Sequence, residues 1–160
     1  MSTHTLSLLV ENRHGALSRI ANLFSGRGYN ISSLTVAETE DPTVSRMTIV
    51  VAGDEEILEQ IVKQLNKLID VIKVIDFIGQ PIFERELVLV RVDASRGSRH
   101  ELLDLCDIFG ARILGVAPRT VTMELTAHTA AIEDFIAMVR PFGIKEIVRS
   151  GAVAIADTKN

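Results

Sequence analysis

The stretch LSLLVENRHGALSRIANLF, residues 6–24, decides how this chain begins to fold. Leu6 to Val10 is a short apolar run that suits a buried strand. From Leu17 onward the apolar residues fall at Leu17, Ile20, Ala21 and Phe24, the i, i+3, i+4, i+7 spacing of one helix face. Glu11 to Ala16 between them is therefore a tight loop that ends at a helix start. The first N–H groups of a helix lack intrahelical partners and sit at the positive end of its dipole, so they make a seat for a small anion. Gly15 tolerates positive φ and lets a ligand come close to the main chain. Asn12 adds a carboxamide, with one acceptor and two donors. A carboxylate seat beside a carboxamide suits an amino acid, and the same residues also suit an ordinary strand-to-helix turn.

Working outward, Gly26-Arg27-Gly28 stops the helix. Ile31 to Glu38 follows as a strand with Ser32, Leu34 and Val36 on one face. The polar turn Thr39 to Thr43 joins it to a second strand, Ser45 to Ala52, where Met47, Ile49 and Val51 alternate with Arg46, Thr48 and Val50. Asp54 is placed to cap a second helix whose apolar stripe is Leu58, Ile61, Leu65 and Leu68. Val71 to Phe77 closes this module as a fourth strand. Ile78-Gly79-Gln80-Pro81 breaks the pattern, and the same order then restarts.

In the second half Leu87 to Val92 is a nearly continuous apolar strand. Ser98 and Glu101 form the signature of a capping box before a helix carrying Leu102, Leu105, Cys106 and Phe109. Arg112 to Val116 and Thr120 to Thr126 make a second hairpin. A fourth helix with Ile132, Phe135, Ile136 and Val139 stops before Pro141, and Ile144 to Val148 is the last strand. The expected fold is thus α+β, two tandem ferredoxin-like βαββαβ modules over residues 1–78 and 82–160, each with helices covering one face of an antiparallel sheet.

Composition narrows the function. The 160 residues are 47% apolar, with a formal net charge of −4. No Lys- or Arg-rich run offers a nucleic-acid footprint. The longest apolar runs are far too short to span a bilayer. Two small modules of this composition cannot bury all their apolar surface alone, so oligomer interfaces are expected. One cysteine excludes an internal disulfide framework, and with no signal segment at the start the chain is expected in the cytoplasm. His4, His14, His100 and His128 are scattered and lack metal-ligand spacing, so no metal site is expected. Cys106 falls on an apolar helix stripe, and the carboxylates cluster at helix starts. No catalytic set is assembled, which ranks a binding module above an enzyme.

The stretch LLVENRHGALSRIANLFSGRGYNISSLTVAETEDPTVSRMTIVV resembles the ACT domain of the small, regulatory subunit of acetolactate (acetohydroxyacid) synthase. ERELVLVRVDAS and IVRSGAVAIA are similar to that family's C-terminal domain, so the likeness covers essentially the whole chain. The resemblance implies a non-catalytic regulator in branched-chain amino-acid (valine, leucine, isoleucine) biosynthesis. It would join a catalytic large subunit, raise its activity and confer feedback inhibition by valine. It carries no cofactor of its own; thiamine diphosphate, Mg and FAD are expected on the catalytic subunit. The implied site lies at a homodimer interface of two ACT domains, with Asn12, Gly15, Ala16 and Leu17 from one subunit and Asn30, Ile31 and Ala37 from its partner. His14 stands where many relatives carry proline or a small residue. The loop Asp93 to Gly97 lacks the Asn-x-x-Gly pattern, so the site is not extended to the second module. The alternative is a tandem-ACT regulator of another amino-acid enzyme or of transcription.

Overall fold

The structure, a computed structural model, describes residues 2–158. It contains two four-stranded sheets, each with a pair of helices, in the order βαββαβ twice. The first comprises β1 (Thr3–Glu11), α1 (Ala16–Gly26), β2 (Asn30–Glu38), β3 (Val44–Ala52), α2 (Glu55–Leu65) and β4 (Val71–Asp76), with strand order β2-β3-β1-β4. The second comprises β5 (Ile82–Asp93), α3 (Arg99–Phe109), β6 (Arg112–Val116), β7 (Thr120–Ala127), α4 (Thr129–Val139), a short 3₁₀ turn (Arg140–Phe142) and β8 (Ile144–Ala156), with order β6-β7-β5-β8. The expected α+β repeat is the observed one.

In the first sheet Leu6, Leu8 and Val10 of β1 and Met47, Ile49 and Val51 of β3 face the helices. They share one core with Ile20, Phe24, Leu58, Ile61 and Leu65. The buried stripe of α1 is rotated from the expected one: Ala16, Ile20 and Phe24 are buried, whereas Leu17 and Ala21 are exposed. β2 also departs from strict alternation. Its register with β3 shifts between Ile31 and Ser33, so Ser32 is an extra residue and Ile31 joins Leu34 and Val36 on one face. β6 carries a matching shift between Ile113 and Gly115.

The helix caps separate two sequence signals that look alike. Asp54 is extended (ψ 176°), and its Oδ1 accepts a hydrogen bond from the amide of Ile57 at 2.9 Å. Ser98 has ψ 6°, not the extended backbone of an N-cap, and its side chain makes no capping hydrogen bond, so the expected capping box does not form. The second core gathers Val88, Val90 and Val92 with Leu102, Cys106, Met123, Ile132 and Phe135. Cys106 is buried there, as its place on the stripe implied.

The chain divides into two compact units, Met1–Phe83 with Ala152–Asn160, and Glu84–Gly151. The expected second module ran without interruption from 82 to 160, so its last residues fall differently. β8 is longer than the expected Ile144 to Val148, and Gly151 (φ 84°) marks where it leaves the second unit. Within the first unit, the amide of Ala152 donates to Ser33 Oγ and Thr35 Oγ1 donates to the carbonyl of Ala152, both at 3.1 Å. These bonds seat small, buried Ala152 and Ala154 beside hydroxyl-bearing positions of the sheet face opposite the helices. Ser7 and Thr48, a cross-strand pair on that face, are buried although polar.

Candidate functional site

The loop between β1 and α1 is held by its own main chain and by its neighbours. The amide of Glu11 donates to Asp70 O, that of Asn12 to Thr43 O and that of Arg13 to Glu11 O, each at 2.8 Å. Asn12 Nδ2 donates to Glu38 Oε1 at 3.1 Å and to Pro42 O at 3.0 Å, so its carboxamide bridges the loop to the end of β2, and its oxygen has no partner among the described residues. Gly15 precedes α1 with φ 84°, a left-handed conformation that glycine adopts without penalty, and no side chain caps the helix. The amide of Ala16 turns back to Arg13 O at 3.2 Å, while those of Leu17 and Ser18 have no partner among the described residues. Two free amides at a helix start can receive a small anion.

Two residues that sequence reasoning missed complete the loop. The Asp70 carboxylate is only 2% exposed and receives Arg19 Nε at 2.5 Å. Arg19 also donates from Nη2 to His14 O at 3.3 Å. Its guanidinium holds the Asp70 carboxyl below the ordinary carboxylate range through that hydrogen bond, against the opposing effect of desolvation. Gly15 is thus not open space on every side, because a Cβ there would meet Arg19 Nη1 at 3.0 Å. The signal that could have found the pair is Asp70 itself, a lone acid inside the apolar run Leu68 to Ile72, which burial obliges to find a cation.

Of the predicted residues, Asn12, Gly15, Ala16 and Leu17 come together at this helix start, with Ala16 buried and Leu17 47% exposed. Asn30 and Ile31 do not join them. Glu11 pairs with Val44 at one end of β3, and Asn30 pairs with Ala52 at the other. Those ends are roughly 27 Å apart at about 3.4 Å per residue, farther than any amino acid reaches. Ala37 does not lie with Asn30 and Ile31, the residues with which the resemblance groups it. It lies seven residues beyond Asn30, roughly 24 Å along β2 by the same rise, and opposite Arg46 at the Asn12 end. There it lines a groove of about 620 Å³ with Leu9, Thr35, Arg46 and Thr48. The predicted residues of one chain therefore fall into two groups at opposite ends of its sheet. Among the described residues no cluster of His, Cys, Asp or Glu could hold a metal ion, and no helix is long and apolar enough to cross a membrane.

This fold is of the ACT type, and residues 6–73 match the model of the AHAS small subunit-like ACT domain. Residues 85–158 match the model described as the small subunit of acetolactate synthase. The probable acetolactate synthase small subunit of Archaeoglobus fulgidus is 49% identical over 152 residues, which cover 95% of each chain. That of Haemophilus influenzae is also 49% identical, covering 94% of this chain and 93% of the relative. The crystal structure of the acetolactate synthase small subunit from Thermotoga maritima superposes with a TM-score of 0.91 over 100% of both chains at 36% identity. The chain belongs to the acetolactate synthase small-subunit family.

Proposed function

We propose that this chain is the regulatory subunit of an acetolactate synthase, which activates a separate thiamine-diphosphate-dependent catalytic subunit and makes it sensitive to valine. Family membership supports the regulatory role. The observation that most supports a ligand is the helix start after Gly15, where two amides are free and the Asn12 carboxamide oxygen has no partner among the described residues. Valine would set its carboxylate on the Leu17 and Ser18 amides and its ammonium near a carboxamide oxygen of Asn12 or of the partner subunit's Asn30.

The separation of the two groups favours a homodimer. β2 is an edge strand that leaves Leu34 and Val36 37% and 43% exposed, an arrangement that soluble proteins cover. Antiparallel pairing of β2 with its copy about a two-fold axis through Leu34 would set Asn30 of each subunit against Glu38 of the other. Glu38 is the residue Asn12 holds, so each loop would meet the Asn30 and Ile31 it lacks in its own chain. Ala37 then belongs to the same subunit as Asn12. Two equal sites follow from the symmetry.

The test is subunit complementation. Gly15→Asp and Asn30→Ala proteins are each expected to bind valine poorly. Mixed as heterodimers, they should regain one intact site of two, because each supplies what the other lacks. If mixing restores no binding although each variant is folded and heterodimers are present, the shared site is refuted.

A further inference from the structure

The Asp70–Arg19 pair carries a cost, as does the pair of buried Glu86 with Arg149 in the second unit. Asp70 is an acid almost fully removed from water, satisfied by one half-exposed arginine from another element, 51 residues away in sequence. Burying a charge on one partner is rarely the cheapest way to build a turn. The second unit supplies the comparison. There the amide of Asp93, at the end of β5, donates to Gly143 O at 2.8 Å, repeating the bond from the Glu11 amide to Asp70 O. The residue in Asp70's place is glycine, which has no side chain to hold an arginine. The fold therefore closes this corner without a buried acid in that place; the charged contact there is Lys145 Nζ with the Asp93 carboxylate, at 3.9 Å.

Its geometry indicates a use. Asp70 holds the end of β1 with its carbonyl and Arg19 with its carboxylate. Arg19 in turn grips the His14 carbonyl, and its Nη1 lies against Gly15 with no partner among the described residues. We propose that Arg19, aimed by Asp70, is a positioning residue of the effector site, which locks the loop so that the Leu17 and Ser18 amides stay open and adds a positive charge that selects a carboxylate ligand. This rests on the reading that valine binds at the helix start. Asp70 acts through Arg19 and does not touch the ligand.

The test is calorimetric titration of the full-length protein with valine and with valinamide, which lacks the carboxylate charge. Arg19→Gln should weaken valine binding by about tenfold or more and leave valinamide little changed, so the preference for the acid collapses. Arg19→Lys should recover part of that preference, since it keeps the charge and loses the planar fork. Asp70→Asn should resemble Arg19→Gln, and the double variant should be no worse than Arg19→Gln alone. If Asp70→Asn does not fold, the two Arg19 variants carry the test. An Arg19→Gln protein with the parental affinity and acid preference would overturn the proposal. If the parent itself binds no valine, the effector reading fails, and amide hydrogen exchange then decides the brace. Arg19→Gln should speed exchange across Arg13 to Leu17 in the unliganded protein, and unchanged exchange refutes the brace.

Discussion

Replacing Gly15 separates what the loop needs for stability from what it needs for binding. At φ 84° an alanine carries the left-handed penalty of an L-residue, about 1–2 kcal/mol. Its Cβ would also stand 3.0 Å from Arg19 Nη1, a contact that the tip of a flexible side chain relieves by moving off the His14 carbonyl. The unfolding free energy from urea denaturation of Gly15→Ala should therefore fall by about 1–2 kcal/mol. Gly15→Asn, a residue type that visits the left-handed region more readily, should recover much of this loss. Gly15→Asp should be about as stable as Gly15→Asn and yet be the most damaging to valine binding. Its carboxylate would compete with Asp70 for Arg19 and repel the carboxylate of the ligand. Calorimetric titration reads the second effect independently of the first. Parental stability in Gly15→Ala, together with parental valine affinity in Gly15→Asp, would refute the reasoning.

Three further outcomes can be checked. Asn30→Ala should weaken valine binding by about ten- to a hundred-fold, the loss of one charge-assisted hydrogen bond, while the protein still activates the catalytic subunit; parental valine inhibition in the reconstituted enzyme would move the site elsewhere. A chain ending at Gly151 loses the bonds of Ala152 to Ser33 and Thr35, so the first unit should lose about 2 kcal/mol, seen as faster amide exchange in β1 and β3; unaltered exchange would contradict this role for the chain end. Because the Asp70 carboxyl is held below its unfolded value, its pairing with Arg19 stabilises the fold above about pH 4 and is lost as pH falls through the lowered folded value. The urea midpoints of the parent and Arg19→Gln should converge on acidification, and a constant gap would count against the linkage.

Local pattern carried most of the architecture. The 3.6-residue spacing of Leu58, Ile61 and Leu65, the two-residue alternation of Met47, Ile49 and Val51, and the stops at Gly110 and Pro141 are properties of neighbours in the chain, so they are legible without a fold. The Asp54 cap belongs to the same class. The rotation of α1 that exposes Leu17, the extra residue at Ser32 and the silent hydroxyl of Ser98 do not, because each is set by how an element meets the rest of its unit. The site divides in the same way. The helix start after Gly15 was legible because a glycine, an apolar run and a helical period lie within a few residues. That Asp70 finds Arg19, that Asn12 grips Glu38, and that Asn12 and Asn30 stand at opposite ends of β3 were decided only in three dimensions, since strand order and register, not sequence distance, determine which side chains meet.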